Sequence, residues 1–363
     1  MCSAAAPGGA SGGDSRGRLS YISWITCPQT GRKRNFARGS LINKLFNLFL
    51  LILSALLCTL SGCVPEPPGI KPMDLNRDEI KANLLAHLTY VSKTLGDRSV
   101  YQPGNLKAAE DYVFQNFSAM GYAPRRQTFI CQRQEVSNVI AGDQSPDGYY
   151  ILGAHFDTVA GTPGADDNAS GVAVLLEVAR LARDLKLPFP WTFIGFTTEE
   201  PPAFFTPYMG SRVYAKGARK HNDKILGMLC LEMVGYYRQE PGSQSLPFTL
   251  KLMGYPTTGN FIGLVSDGRS KPLMQRLDKA VKQGCRLATV ALSVPLGGYL
   301  LQEVRLSDHA NFWDEGYPAI MLTDTAFFRN PHYHGPGDVL ENLDLEAMTE
   351  LTLGLAHFLT QER

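Results

Sequence analysis

The sequence predicts an α/β protein, a single α/β/α sandwich around a mostly parallel, mixed central sheet. Three observations carry this. Short continuous apolar runs at 149–154 and 191–196 read as strands buried on both faces. A longer segment at 172–185 has apolar residues at i, i+3, i+4 and i+7 (Val172, Leu175, Leu176, Ala179), the spacing of an amphipathic helix. The two kinds of segment alternate along the chain, as strands joined by crossover helices do.

The elements follow in order. Ile80, Leu84, Leu85, Leu88 and Val91 predict a first helix over 77–93, and a second is expected over 106–120. Residues 128–132 and 136–141 read as strands. The run 149–154, the helix 172–185 and the buried strands 191–196, 225–231 and 319–323 come next. Asp344 is a natural N-cap for a last helix carrying Leu345, Met348, Leu351, Leu355 and Phe358. Between 240 and 298 the pattern is less regular, with a strand expected at 248–253, a helix at 272–283, and loops around Gly297-Gly298. That stretch is expected to be an insertion overhanging the site. The whole of 74–363 reads as one domain, without internal repeats.

Composition bounds the function. The 363 residues are 44% apolar and 19% charged, with 35 Gly and 23 Pro, which excludes a collagen, a coiled coil and a largely disordered chain. A net charge of +1 gives no nucleic-acid footprint. The charge is unevenly spread. Residues 1–62 hold seven Lys/Arg and one acid, which leaves 28 basic and 33 acidic residues from Cys63 onward, a net of −5.

The basic leader precedes one apolar run, 45–60. It is short for a spanning helix, which needs about 20 apolar residues, and fits the core of a secretory signal. Leu60-Ser61-Gly62-Cys63 follows and resembles the bacterial lipobox, in which the Cys is acylated and becomes the new N-terminus. Val64-Pro65-Glu66-Pro67-Pro68 opens a stiff tether over 63–73. The expectation is a lipoprotein anchored in a bacterial membrane, facing the periplasm or the cell surface, with Val64 leaning toward the outer membrane. Forty residues before the run exceed a usual lipoprotein signal, so translation is expected to start near Leu41. Of the seven Cys, Cys131, Cys230 and Cys285 belong to the body; their wide spacing forms no CxxC metal cluster, and buried free thiols are expected.

Polar residues recur at strand ends. His155 and Asp157 follow the 149–154 run, Glu199 and Glu200 follow 191–196, and Glu232 follows 225–231. In open α/β sheets the functional crevice lies at the carboxyl ends of the strands, so distant segments deliver imidazole and carboxylate groups to one edge. Such a set holds a borderline dication. Asp166 and Asp167 lie in a small-residue loop that opens the 172–185 helix, and His334 lies in a Gly/Pro-rich turn.

Five segments, taken together and in order, resemble peptidase family M28, whose members are mostly zinc aminopeptidases with two co-catalytic ions. They are Gly153-Ala154-His155-Phe156-Asp157-Thr158, Gly164-Ala165-Asp166-Asp167-Asn168-Ala169-Ser170-Gly171, Thr197-Thr198-Glu199-Glu200, Leu231-Glu232-Met233-Val234-Gly235-Tyr236 and Tyr333-His334-Gly335-Pro336-Gly337-Asp338. The resemblance spans roughly Leu75 to the C-terminus and implies a zinc aminopeptidase-like, phosphorylase/hydrolase-like fold. It implies two Zn2+ per chain, with Asp167 bridging them, His334 and Glu200 completing one site, and His155 and Glu232 the other. Asp157 would accept a hydrogen bond from His155 and fix its tautomer. Glu199 would be the general base that deprotonates a water shared by the ions. Peptides are the implied substrates.

Two departures stand out. Many of these aminopeptidases have Asp where this chain has Glu232, and Gly335 replaces a usual Thr. Ser307-Asp308-His309 also matches a recurrent stretch, so Asp308 and His309 are taken as hydrogen-bonding residues beside the site. A single-zinc glutaminyl cyclase, a carboxypeptidase of the same family and an inactive binding lipoprotein remain alternatives. The apolar run 201–205 next to Glu200 points to an apolar residue at the cleaved position, with 201–208 and 240–298 as pocket walls.

Overall fold

A computed structural model of the chain describes residues 74–361; the leader, the Cys63 lipobox and the tether lie outside the described residues. One eight-stranded sheet runs through the described part. Strands β1 (Arg125–Cys131) and β2 (Gln134–Gly142) form an antiparallel hairpin at one edge. β2 pairs antiparallel with β4 (Trp191–Phe196). From β4 the strands β3 (Tyr149–His155), β5 (Ile225–Glu232) and β8 (Ala319–Thr323) lie side by side and parallel. β6 (Phe261–Asp267) returns antiparallel to β8, and β7 (Ala288–Val294) closes the far edge parallel to β6. The expected sandwich is present, with a mixed sheet whose four central strands point the same way.

The continuous apolar runs are explained by cover on both faces. Along β3, Tyr150, Leu152 and Ala154 enter one core and Tyr149 and Ile151 the other, the two-residue alternation of a pleated strand. The first core is roofed by α1 (Arg77–Leu88), α2 (Pro103–Ala119), α3 (Gly171–Ala182), α6 (Lys271–Gly284) and α8 (Leu345–Leu359). The second lies under α4 (Gly210–His221) and α7 (His309–Asp314). Helix α1 continues as a wider-wound turn over Thr89–Leu95. Asp344 caps α8 as expected, its carboxylate accepting the backbone N–H of Glu346 and Ala347.

The 240–298 stretch differs from expectation. Its first half holds a short helix, α5 (Phe248–Leu252), in place of a strand. Its second half is not an overhang, since β6 and β7 are strands of the sheet and α6 packs into the first core. Gly263 and Ser266 interrupt the apolar run of β6, and β7 is a half-exposed edge strand, so neither reads as a clean strand pattern. Cys131 and Cys230 are buried free thiols and Cys285 is a partly buried one. Among the described residues no helix is long and apolar enough to cross a membrane.

Candidate metal centre

Because β3, β4, β5 and β8 are parallel, their carboxyl ends share one edge, and that edge collects the polar residues. His155 is the last residue of β3 and Glu232 the last of β5. Glu199 and Glu200 follow β4 by a three- and four-residue step. Asp167 enters from the segment Ala165–Ser170 that leads into α3, and His334 comes from the turn after β8.

These side chains converge as two triads sharing one carboxylate. The donor atoms of His155, Asp167 and Glu232 lie within 4.8 Å of one another, and so do those of Asp167, Glu200 and His334. His155 Nε2 is 3.5 Å from Asp167 Oδ1 and 3.5 Å from Glu232 Oε2. His334 Nε2 is 3.2 Å from Asp167 Oδ2 and 3.4 Å from Glu200 Oε1. Each oxygen of Asp167 thus faces a different imidazole. Both ring nitrogens of His155 and Oδ1 of Asp167 are buried without a hydrogen-bond partner, although buried polar atoms are normally paired. A convergent donor set in which His155 and Asp167 carry buried, unpaired atoms and His334 stands exposed at the edge fits divalent cations of the zinc type.

The braces around the cluster are backbone hydrogen bonds. Asp157 does not hydrogen-bond His155, because the nearest approach of Nδ1 to Oδ1 is 3.6 Å. Its two oxygens instead accept the N–H groups of Glu199 and Glu200, each at 3.0 Å. Asp157 therefore fixes the turn that carries both acids. Asp338 does the same for the other segment, accepting the N–H groups of Asp166 at 2.9 Å and Asp167 at 3.0 Å. Asp166 points away from the triads, accepting from Gly235 N–H and from Asn330 Nδ2. Asn168 ties the loop to β5, donating to Leu231 O and accepting from Met233 N–H. Thr198, Met233 and His334 flank the site with φ of 54°, 49° and 55°, left-handed conformations that cost non-glycine residues on the order of 1–3 kcal/mol each.

Sequence reasoning overlooked Arg98. Its fully buried guanidinium donates to the carbonyls of Phe156, Val91, Gly96, Pro163 and Gly164. It thereby clamps the residues after His155 to the loop before Asp166. In the 307–309 stretch the role expected of Asp308 and His309 falls to Ser307, whose hydroxyl donates to Glu232 Oε2 at 2.5 Å. The stretch 307–309 touches the cluster through that hydroxyl. His309 bonds Val304 O through Nε2 and packs edge-on against Trp313, and burial pushes its pKa down to about 3. Asp308 is buried with neither carboxylate oxygen hydrogen-bonded, and burial raises it to about 7.

A cavity of about 110 Å³ adjoins Glu232 and Tyr333 and is walled mainly by apolar groups, among them Leu250, Leu292, Val304 and Phe328. Its walls come from 244–250 and 292–328 and not from 201–208.

Comparisons with known proteins agree on the family. The model of peptidase family M28 matches residues 136–359. The uncharacterized protein YfbL of Escherichia coli (strain K12) is 34% identical over 275 residues, covering 73% of this chain and 83% of its own length. A probable leucine aminopeptidase of Arthroderma otae is 27% identical over 65% of this chain, which spans 59% of that protein. Among solved structures, the LapA aminopeptidase of Legionella pneumophila superposes with a TM-score of 0.61 at 19% identity, over 84% of this chain and 81% of that one. The glutaminyl cyclase of Porphyromonas gingivalis does so with a TM-score of 0.55 at 19% identity, over 78% and 97%. At such identities the structural likeness speaks for the fold.

The charges predict how the metal-free protein responds to pH. Burial, then repulsion from Asp167, raises Glu200 from 4.5 to about 8. Burial opposes a charged His334, but Asp167 and Glu200 outweigh it and raise the imidazole from 6.5 to about 10. Glu200 between about pH 4.5 and 8, and His334 between about pH 6.5 and 10, keep protons in the folded state that the unfolded chain has released. The stability they contribute therefore falls as pH rises through those windows. Chelator-treated protein should melt at a lower temperature at pH 8.5 than at pH 6. Added zinc should remove or reverse the trend, since metal ligands must be deprotonated. A chelated melting temperature that rises over this range would contradict the assignment.

Proposed function

The chain belongs to peptidase family M28, and on that premise we propose that it is a zinc-dependent exopeptidase that removes N-terminal residues from peptides. The observation that carries the reading is the shared carboxylate of Asp167, with one imidazole on each oxygen. His334, Glu200 and Asp167 would hold one zinc ion, and His155, Glu232 and Asp167 the other. Asp167, Glu199, Glu200 and Glu232 are four buried carboxylates in one cluster, an arrangement that water-excluded surroundings tolerate only with compensating cations. Two bound zinc ions would acidify a water and polarise the scissile carbonyl.

The chain's own groups do the rest. Glu199 stands outside both triads, and burial, with His155 opposing and Glu200 and Glu232 adding to it, raises its affinity for a proton. It would take a proton from the attacking water and return it to the leaving amine. Asp157 would keep Glu199 from swinging onto the cations by holding its backbone. The apolar cavity beside Glu232 and Tyr333 would take the side chain of the N-terminal residue, which favours apolar residues there. The carboxypeptidase alternative shares this geometry and differs in product; the cyclase alternative would hold one zinc and give a pyroglutamyl product.

The reading includes a lipid anchor at Cys63 and residence on a bacterial membrane facing the periplasm or the cell surface, supported by the basic leader, the 45–60 apolar run and the Leu60-Ser61-Gly62-Cys63 sequence. Palmitate labelling should be lost in Cys63→Ser, with the protein leaving the membrane fraction; labelling that persists would exclude this anchor.

For the activity, zinc-loaded protein should release free Leu from Leu-Ala-Phe. Release of Phe instead would make it a carboxypeptidase, and a pyroglutamyl product from Gln-Ala-Phe a cyclase. Glu199→Gln should keep its zinc and lose roughly 10²–10⁴-fold in turnover, whereas His334→Ala should lose zinc. Near-normal turnover in Glu199→Gln would overturn its role.

A further inference from the structure

A second cavity, of about 360 Å³, shares the 299–307 stretch with the apolar one: Tyr299, Gln302, Arg305 and Ser307 line it, and Leu301, Glu303, Val304 and Leu306 line the other. Ser307, which donates to Glu232, forms part of its wall, and so does Phe205, from the turn that follows Glu199 and Glu200. The charged side chains lining it are Arg212, Arg305 and Asp314. Asp314 Oδ1 accepts from Arg305 Nη2 at 2.6 Å and from Tyr299 Oη at 3.0 Å. Asp314 Oδ2 lies 3.5 Å from Arg212 Nη2. One carboxylate therefore serves two guanidiniums, and among the described residues one positive charge in the cavity has no counter-charge.

The two arginines are not equivalent. Arg305 is nearly buried, stacks over the Tyr299 ring and donates Nη1 to Gly297 O. It holds the 297–305 loop. Arg212 spends Nε on Asn311 Oδ1 at 2.7 Å, and its Nη1 has no hydrogen bond or ion pair among the described residues. A planar guanidinium with free donors in a part-buried cavity is a receptor for a carboxylate.

We propose that this cavity binds the C-terminal carboxylate of short peptide substrates through Arg212, so that the protein acts on free di- and tripeptides in preference to blocked or long chains. The inference rests on the peptidase reading and deepens it. The apolar cavity would receive the N-terminal side chain, and Arg212, across the 299–307 stretch whose Ser307 touches Glu232, the far end of a short substrate. Asp314 would keep Arg212 aimed while leaving the excess charge for the ligand.

The test compares Leu-Ala and Leu-Ala-Ala with their C-terminal amides on the zinc-loaded full chain. A charge-assisted hydrogen bond of this kind lowers KM for the free acids roughly 10- to 100-fold. Arg212→Gln should abolish the preference, and Arg212→Glu should invert it. Equal KM values for acids and amides in the unmodified chain would overturn this inference and leave the peptidase reading intact; that comparison decides even if a variant fails to fold. A preference that survives in Arg212→Gln would overturn the assignment to Arg212. Hydrolysis of none of the four compounds would overturn the peptidase reading and this inference with it.

Discussion

The constraint on which the rest depends is electrostatic. Four carboxylates, Asp167, Glu199, Glu200 and Glu232, are buried together at one sheet edge with two imidazoles between them. Burial raises the proton affinity of Glu199 and Glu200. A fold that keeps such a cluster must supply positive charge, from protons or from dications. The protein's permanent contribution is Arg98. Burial lowers it to about 10, against the pull of Asp157, Asp338 and Asp167, so it stays charged at neutral pH. That cation is bound by five carbonyl oxygens and lies behind the loops, leaving the mouth of the cluster to external cations.

Holding like charges together also demands stiff supports. Asp157 and Asp338 each grip two consecutive N–H groups, so the acids that face the site are aimed by acids that do not. Asn168 pins the Asp167 loop to β5, and Ser307 steadies Glu232. The left-handed residues Thr198, Met233 and His334 sit at the points where the chain must turn sharply after a strand or into the site. The strain is carried because the hydrogen bonds around it leave the backbone no other path. A Glu at 232 reaches one methylene further than an Asp, and the Ser307 hydroxyl takes up part of that reach.

Much of this was legible in the sequence, for physical reasons. Strands covered on both faces must be apolar throughout, so β3, β4, β5 and β8 announced themselves, and the polar residues just beyond them were the natural candidates. The five positions His155, Asp167, Glu200, Glu232 and His334, read from their motifs, form two triads that share Asp167. What stayed hidden depended on tertiary context. Helix α4 is polar and carries Gly210 and Gly217, so local propensity argued against it. β6 and β7 show no continuous apolar pattern, and Phe248–Leu252 is too short for periodicity to separate helix from strand. The family resemblance implied a bond from His155 to Asp157, but the turn after β4 presents two N–H groups that its oxygens accept. Arg98 and Arg212 belong to no motif, and only the folded chain gives them their neighbours.

The account's central claim is that Asp167 is a bridge between two cation sites. Crystals of the zinc-loaded chain, measured on both sides of the zinc absorption edge, test it most directly. The account predicts two anomalous peaks about 3.5–4 Å apart, each roughly 2.0–2.2 Å from a different oxygen of Asp167, one beside His155 and the other beside His334. A single peak, or peaks that leave Asp167 uncoordinated, would contradict it.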